Sequence, residues 1–288
     1  MNLSELPSVA GVTHRDVDVG GVRLHIAQAG DGPPLLMLHG WPQHWWCWHR
    51  VIEQLDGAVR IACPDLRGFG WSGQPEDGNF TKPRLADDVL ATLDALGWER
   101  ALLAGHDWGA VVGYLTALRA PERLTGLLAI GAPHPWQPTP RILRNAWRFS
   151  YQLPLVTPFV GSALMRDGRL PAAMMRAARG EEGALTREDF EPYLAVLREP
   201  GPSRATEQIY RQFLLRDARA LAGLVDGRRL LVPTRTLAGR REPLGLEMFE
   251  GIERHGDDAR FEVVDGAGHW VPEEAPEIVA EHVRAMTA

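Results

Sequence analysis

An alternation of apolar strand-like runs with helix-like runs constrains this chain most, because it breaks off near Pro133 and resumes near Thr234. Leu35-Leu36-Met37-Leu38, Val59-Arg60-Ile61-Ala62-Cys63, Ala101-Leu102-Leu103-Ala104 and Leu124 to Ile130 are near-continuous apolar runs, as expected of strands buried on both faces. Between them lie stretches of helical spacing: Trp45 to Leu55, a helix from a Thr81 cap to about Leu96 with Pro83 in its first turn, and Ala110 to Leu118. Such alternation argues for a mainly parallel sheet covered on both faces. Arg15 to Val19 and Val22 to Ala27 alternate polar with apolar around Gly20-Gly21 and read as a meander ahead of it. After the break, Thr234 to Ala238 and Ala259 to Asp265 read as strands, and Leu246 to Arg254 and Ala275 to Met286 as helices. From Pro135 to about Asp226 the pattern is helical only: Pro140 to Gln152, Arg169 to Arg179, Thr186 to Arg198 and Ser203 to Val225. The chain therefore reads as an α/β core over 1–134 and 227–288 with a helical insertion over 135–226.

The 288 residues suffice for a full core plus that insertion. A formal charge of −6 and the lack of a long basic cluster give no electrostatic case for nucleic acid. No apolar run approaches the ~20 residues that span a bilayer. Met1 to Pro7 has neither a basic nor an apolar leader segment, so a cytoplasmic protein without a secretion signal is expected. Two cysteines, Cys47 and Cys63, make no disulfide framework, and no HExxH or CxxC spacing suggests a metal. No cofactor is expected. Ten tryptophans are many for this length; Trp41, Trp45, Trp46, Trp48, Trp71 and Trp108 lie in or near turns of the first half, which suits core packing or an apolar pocket.

Four motifs stand at the ends of the strand-like runs: His39-Gly40-Trp41-Pro42-Gln43, Asp65 to Ser72, Gly105-His106-Asp107-Trp108-Gly109 and Gly266-Ala267-Gly268-His269-Trp270. With them the chain, from about Arg15 to Met286, resembles the α/β-hydrolase-fold enzymes of the epoxide hydrolase group, and next the haloalkane dehalogenases. The resemblance implies a mainly parallel eight-stranded sheet flanked by helices, with residues 135–226 as a helical cap. It implies that Asp107 is the centre of a nucleophile elbow, where serine is usual. Taken alone, Asp107 also fits a surface residue in a tight turn, or a hydrolase that has lost its serine. As a nucleophile, a carboxylate that attacks a saturated carbon leaves an ester, which a histidine and water cleave; a serine would leave an ether, which they do not. The helix that starts at the elbow favours the ionised form through its dipole.

The other roles come by the same resemblance. His269, on a glycine-rich loop before the last helix, is the base that activates water. Glu242, in Gly239-Arg240-Arg241-Glu242-Pro243, takes the place of the usual orienting aspartate. The backbone N–H groups of Trp41 and Trp108 form the oxyanion hole. Tyr210 matches one of the two cap tyrosines that support an epoxide oxygen. For the other, Trp147 stands at the matching position, and Tyr151 lies four residues on, on the same helical face. His39, Pro42 and Trp147 are expected around the substrate pocket; His39 and His106 are expected to make structural hydrogen bonds. The substrate would be a small apolar epoxide or related electrophile with water as co-substrate. A homodimer is compatible with this reading. Two alternatives stand beside it: a haloalkane dehalogenase with Trp108 and Trp147 holding halide, and a catalytically silent binding protein of the same fold. A fluoroacetate dehalogenase is disfavoured, since Trp108 and Val111 stand where that group carries arginines.

Overall fold

The computed structural model describes residues 6–181 and 185–288. Most of Met1 to Pro7, the stretch expected to carry no secretion signal, lies outside the described residues. Eight strands form one sheet: β1 (Thr13–Val19), β2 (Val22–Ala29), β3 (Pro34–Leu38), β4 (Arg60–Pro64), β5 (Ala101–His106), β6 (Leu124–Ile130), β7 (Thr234–Gly239) and β8 (Ala259–Val264). Their spatial order is β1-β2-β4-β3-β5-β6-β7-β8. β2 pairs antiparallel with β1 and with β4, and every pairing from β4 onward to β8 is parallel. The meander is therefore the antiparallel edge of a parallel sheet, as the two sequence patterns suggest.

In chain order the helices are α1 (His49–Leu55), α2 (Lys82–Leu96), α3 (Trp108–Arg119), α4 (Thr139–Asn145), α5 (Gln152–Val156), α6 (Val160–Asp167), α7 (Arg169–Ala177), α8 (Arg187–Leu197), α9 (Pro200–Gln212), α10 (Ala218–Leu224), α11 (Val271–Glu274) and α12 (Pro276–Thr287). Successive strand side chains point to opposite faces, so β3 and β5 feed two apolar layers. Leu36, Leu38 and Leu103 pack with Leu85, Val89 and Leu93 of α2 and Val112 and Leu115 of α3. Leu35, Met37 and Leu102 pack with Val51 and Leu55 of α1 and Val279 and Val283 of α12. Both layers are dry, which is why these strands carry no polar alternation.

Several expected boundaries move for local reasons. Trp45 to Trp48 is a tight 3₁₀ turn, and α1 begins only at His49. The expected helix from Leu246 to Arg254 is two 3₁₀ turns, Leu246–Met248 and Ile252–His255, separated at Gly251 with φ 97°. Thr81 precedes α2 but does not cap it with its side chain. Its hydroxyl donates to Asn79 Oδ1 at 2.8 Å, and the first N–H of the helix, on Lys82, is taken by Asp217 Oδ2 at 2.9 Å.

Between β6 and β7 the chain is helical, as its pattern implies, but the helices are shorter. Pro140 to Gln152 divides into α4, a 3₁₀ turn over Ala146–Phe149, and the start of α5. Ser203 to Val225 divides into α9, a π-helical turn over Phe213–Asp217, and α10. α6 falls in a stretch without an expected helix. Among the described residues no helix is long and apolar enough to cross a membrane.

Candidate active site

The elbow forms where β5 turns sharply into α3. Asp107 sits at the turn with φ 51° and ψ −117°, a conformation that L residues adopt only when their surroundings impose it. Its N–H donates to the Ile130 carbonyl at 2.9 Å, and its own carbonyl receives the Ala110 N–H at 3.0 Å. The flanking glycines let the segments meet: a Cβ on Gly105 would lie 2.4 Å from the Gly109 backbone, and one on Gly109 would lie 2.2 Å from the Leu38 carbonyl. A Cβ on Gly40 would lie 2.3 Å from Asp107 Oδ1, so that position must also be bare for the carboxylate to occupy its place.

Asp107 Oδ1 accepts the Trp41 backbone N–H at 2.8 Å. The Trp108 backbone N–H also acts on this carboxylate, favouring its ionised form. On the other side, Asp107 Oδ2 lies 3.7 Å from His269 Nε2. His269 Nδ1 donates to Glu242 Oε2 at 2.9 Å, and the Glu242 side chain is fully buried. The glutamate in place of aspartate thus reaches the ring, helped by a turn in which Glu242 N–H bonds to the Gly239 carbonyl at 3.0 Å. The histidine loop is fixed from outside. Glu274 Oε2 accepts the N–H groups of Gly268 and Trp270 at 2.7 and 3.2 Å, and the His269 N–H donates to Ala178 at 2.8 Å.

Asp107, Glu242 and His269 line a cavity of about 240 Å³ together with Trp41, Tyr151, Tyr210 and the apolar side chains Met174, Leu244 and Trp270. Tyr210 comes from α9, and Tyr151 from the residue before α5. Their rings meet edge to face at 6.1 Å, and Tyr210 packs edge on against Trp41 at 5.6 Å and Trp108 at 5.2 Å. Core and insertion therefore each contribute polar groups to one apolar chamber.

Burial and charge set the protonation states. Burial pushes the Asp107 carboxyl above its usual range and outweighs the His269 charge and the two backbone donors. The net effect is opposite to the helix-dipole expectation. Burial disfavours charge on His269, yet the carboxylates of Glu242 and Asp107 prevail and raise it to about 9. Tyr151 is raised to about 12 by burial and the nearby Asp107, and Tyr210 is raised well above its ordinary value by burial, Tyr151 and Asp107. Both phenols are hydrogen-bond donors at neutral pH.

Not every expected residue is here. Trp147 is 66% exposed, and the Arg148 guanidinium stacks on it at 4.8 Å. The 3₁₀ turn over Ala146–Phe149 is the reason, because its register differs from 3.6 residues per turn. Trp147 and Tyr151 consequently do not share a face, and Tyr151 alone reaches the chamber. His39 and Pro42 are buried but do not line the cavity. His39 donates from Nδ1 to the Gly40 carbonyl at 3.0 Å and accepts the Leu66 N–H on Nε2 at 2.9 Å, while His106 donates from Nε2 to the His269 carbonyl at 2.8 Å. Both hold motif backbones. The Trp108 side chain does not line the cavity either; its ring packs beneath Lys82 and against Phe213 and Tyr210, and its buried indole N–H has no hydrogen-bond partner among the described residues. Nothing in the sequence spacing of Glu274, Met174 of α7 or the buried Lys82 marks them as part of the site.

The strand order, the elbow and the carboxylate–histidine pair define a class, and comparison with known proteins agrees. A family model described as the alpha/beta hydrolase fold matches residues 33–276. The chain belongs to the α/β-hydrolase-fold family, and within it is similar to epoxide hydrolases. It is 31% identical over 282 residues to the AB hydrolase superfamily protein YfhM of Bacillus subtilis (strain 168), covering 93% of this chain and 96% of that protein. It is 29% identical over 287 residues to the soluble epoxide hydrolase of Corynebacterium sp. (strain C12), covering 94% and 95%. The solved structure of epoxide hydrolase CorEH without ligand superposes with a TM-score of 0.79 at 28% identity, covering 96% of this chain and 98% of that one.

Proposed function

We propose that the protein hydrolyses epoxides to vicinal diols through a covalent ester on Asp107, with residues 135–226 as a cap over the chamber. In the first step a carboxylate oxygen of Asp107 bonds to a ring carbon and the carbon–oxygen bond of the epoxide breaks. Tyr210 and Tyr151 donate hydrogen bonds to the leaving oxygen, which ends as a hydroxyl. His269, protonated in the resting site, replaces the proton given up. It is then neutral beside an uncharged ester, free of the Asp107 charge that had helped to raise it. In the second step His269 takes a proton from water, and the hydroxide adds to the ester carbonyl. The Trp41 and Trp108 N–H groups hold the resulting oxyanion. Collapse releases the diol, with the second water proton on its oxygen, and returns Asp107 as carboxylate and His269 as imidazolium. Epoxide plus water gives diol, with nothing left over.

The observation that carries this reading is the chamber itself: Asp107 Oδ2 is 3.7 Å from His269 Nε2, and two phenols line the same cavity. A halide leaves without an acid and has no use for the phenols. The dehalogenase alternative also needs indole donors at the cavity, and neither Trp147, which is at the surface, nor Trp108 lines it. Incubation with styrene oxide and with 1-bromobutane in H₂¹⁸O separates the readings. Diol, with ¹⁸O in the Asp107 peptide after one turnover, is expected. Bromide release without diol would reverse the choice, and no label from either substrate would favour a binding protein.

A further inference from the structure

Lys82 is fully buried at the first position of α2, and the chemistry above does not use it. A buried ammonium is costly unless partners surround it. Its Nζ donates to the Ile209 carbonyl at 3.0 Å, lies 3.7 Å from Asp217 Oδ2, and sits 4.0 Å over the Trp108 ring. All three partners frame the proposed ring-opening groups. Ile209 precedes Tyr210 on α9. Trp108 follows Asp107 and packs edge on against Tyr210 at 5.2 Å. Asp217 closes the π-helical turn after α9 and also takes the Lys82 backbone N–H at 2.9 Å. π turns inside helices are frequently found at functional sites. A buried ion pair is weak evidence for stability, since apolar side chains of similar volume commonly replace one without loss. Its presence is better explained by the geometry it imposes.

We infer that Lys82 is a positioning residue for ring opening: its Nζ grips the helix of Tyr210 and the indole beside Asp107 at once, and so fixes the phenol over the nucleophile. The inference rests on the function proposed above and deepens it. It assigns Lys82 chiefly to the first chemical step: it holds the helix of Tyr210, and of the second-step groups it meets only the Trp108 ring, not the Trp108 N–H, His269 or Glu242.

The test is single-turnover kinetics with styrene oxide on wild type, Lys82→Met and the double variant Lys82→Met/Asp217→Asn, which removes both charges. Ester formation is expected to slow on the order of 10–100-fold in both variants, the usual scale for a misplaced reacting group. Ester hydrolysis should stay within about twofold, a split that general loss of structure does not produce. The double variant should recover thermal stability without recovering the rate. Wild-type ester formation in the double variant, or equal loss in both steps, would overturn the assignment. If wild type forms no ester at all, the functional reading fails by itself, and amide exchange over residues 203–213 decides the positioning. Faster exchange in the double variant supports the grip of Lys82 on α9; unchanged exchange rejects it.

Discussion

The sheet and the helical segment between β6 and β7 build the same chamber by different means. Asp107, Glu242 and His269 stand just beyond β5, β7 and β8, whose register is locked by parallel pairing and by apolar layers on both faces. The helical segment is assembled from short helices and leaves Ile142, Leu143, Trp147, Leu153, Phe159, Leu214 and Leu215 exposed. It anchors its two tyrosines through a few long-range contacts, such as Phe80 N–H to Gln212 Oε1 at 2.8 Å. The nucleophile, base and orienting acid are thus placed by the ends of paired strands, whereas the phenols come from short helices with exposed outer faces, Tyr210 itself being buried against Trp41 and Trp108.

Substitutions sharpen this contrast in order of size. Asp107→Asn removes the attacking group from the rigid side, and diol formation should fall on the order of 10⁴-fold or more, with an unchanged melting temperature. Tyr210→Phe removes a donor from the helical side. Ring opening should slow on the order of 10²-fold while hydrolysis of an ester already formed is unaffected, as stopped-flow traces of the two phases would show. A loss as large as that of Asp107→Asn would mean that the two regions are not so divided.

Protonation offers a third test, confined to the core. The folded His269 titrates at about 9, above its ordinary 6.5. Its contribution to stability is complete below pH 6.5 and is lost as pH rises through 9. The melting temperature of wild type should decline across that window. In Glu242→Gln, where the partner charge is gone, the decline should be shallower. Parallel curves would show that the pair is not coupled as drawn. The smallest effect is expected at the helical surface: Trp147→Ala should leave kcat/KM within about twofold, since the side chain is 66% exposed and away from the cavity.

The same division explains what the sequence made legible. β3 and β5 are uninterrupted apolar runs because both of their faces are dry, and the glycines around Asp107 record how closely β5, α3 and the Leu38 backbone approach. Those signals are local, so the strands and the elbow are legible in the sequence, whereas Glu242 and His269 are placed only by resemblance to the family. Tyr151 could not be separated from Trp147, because the choice depends on a 3₁₀ turn that a 3.6-residue rule does not detect. Lys82 gave no signal, since its burial depends on Asp217, 135 residues away. Glu242 was found through its place after β7, and the length of its side chain, the one departure from the family pattern there, is absorbed within a hydrogen bond of 2.9 Å to His269.

The direct test of the ester on Asp107 is mass spectrometry of a His269→Gln variant after brief exposure to styrene oxide. That variant keeps the nucleophile and both phenols, leaves solvent to replace the proton given up in ring opening, and lacks the base for the second step. The expected result is a protein heavier by one substrate, with the added mass on the peptide that contains Asp107. Unmodified protein alongside full diol release, or substrate attached at any other residue, would contradict it.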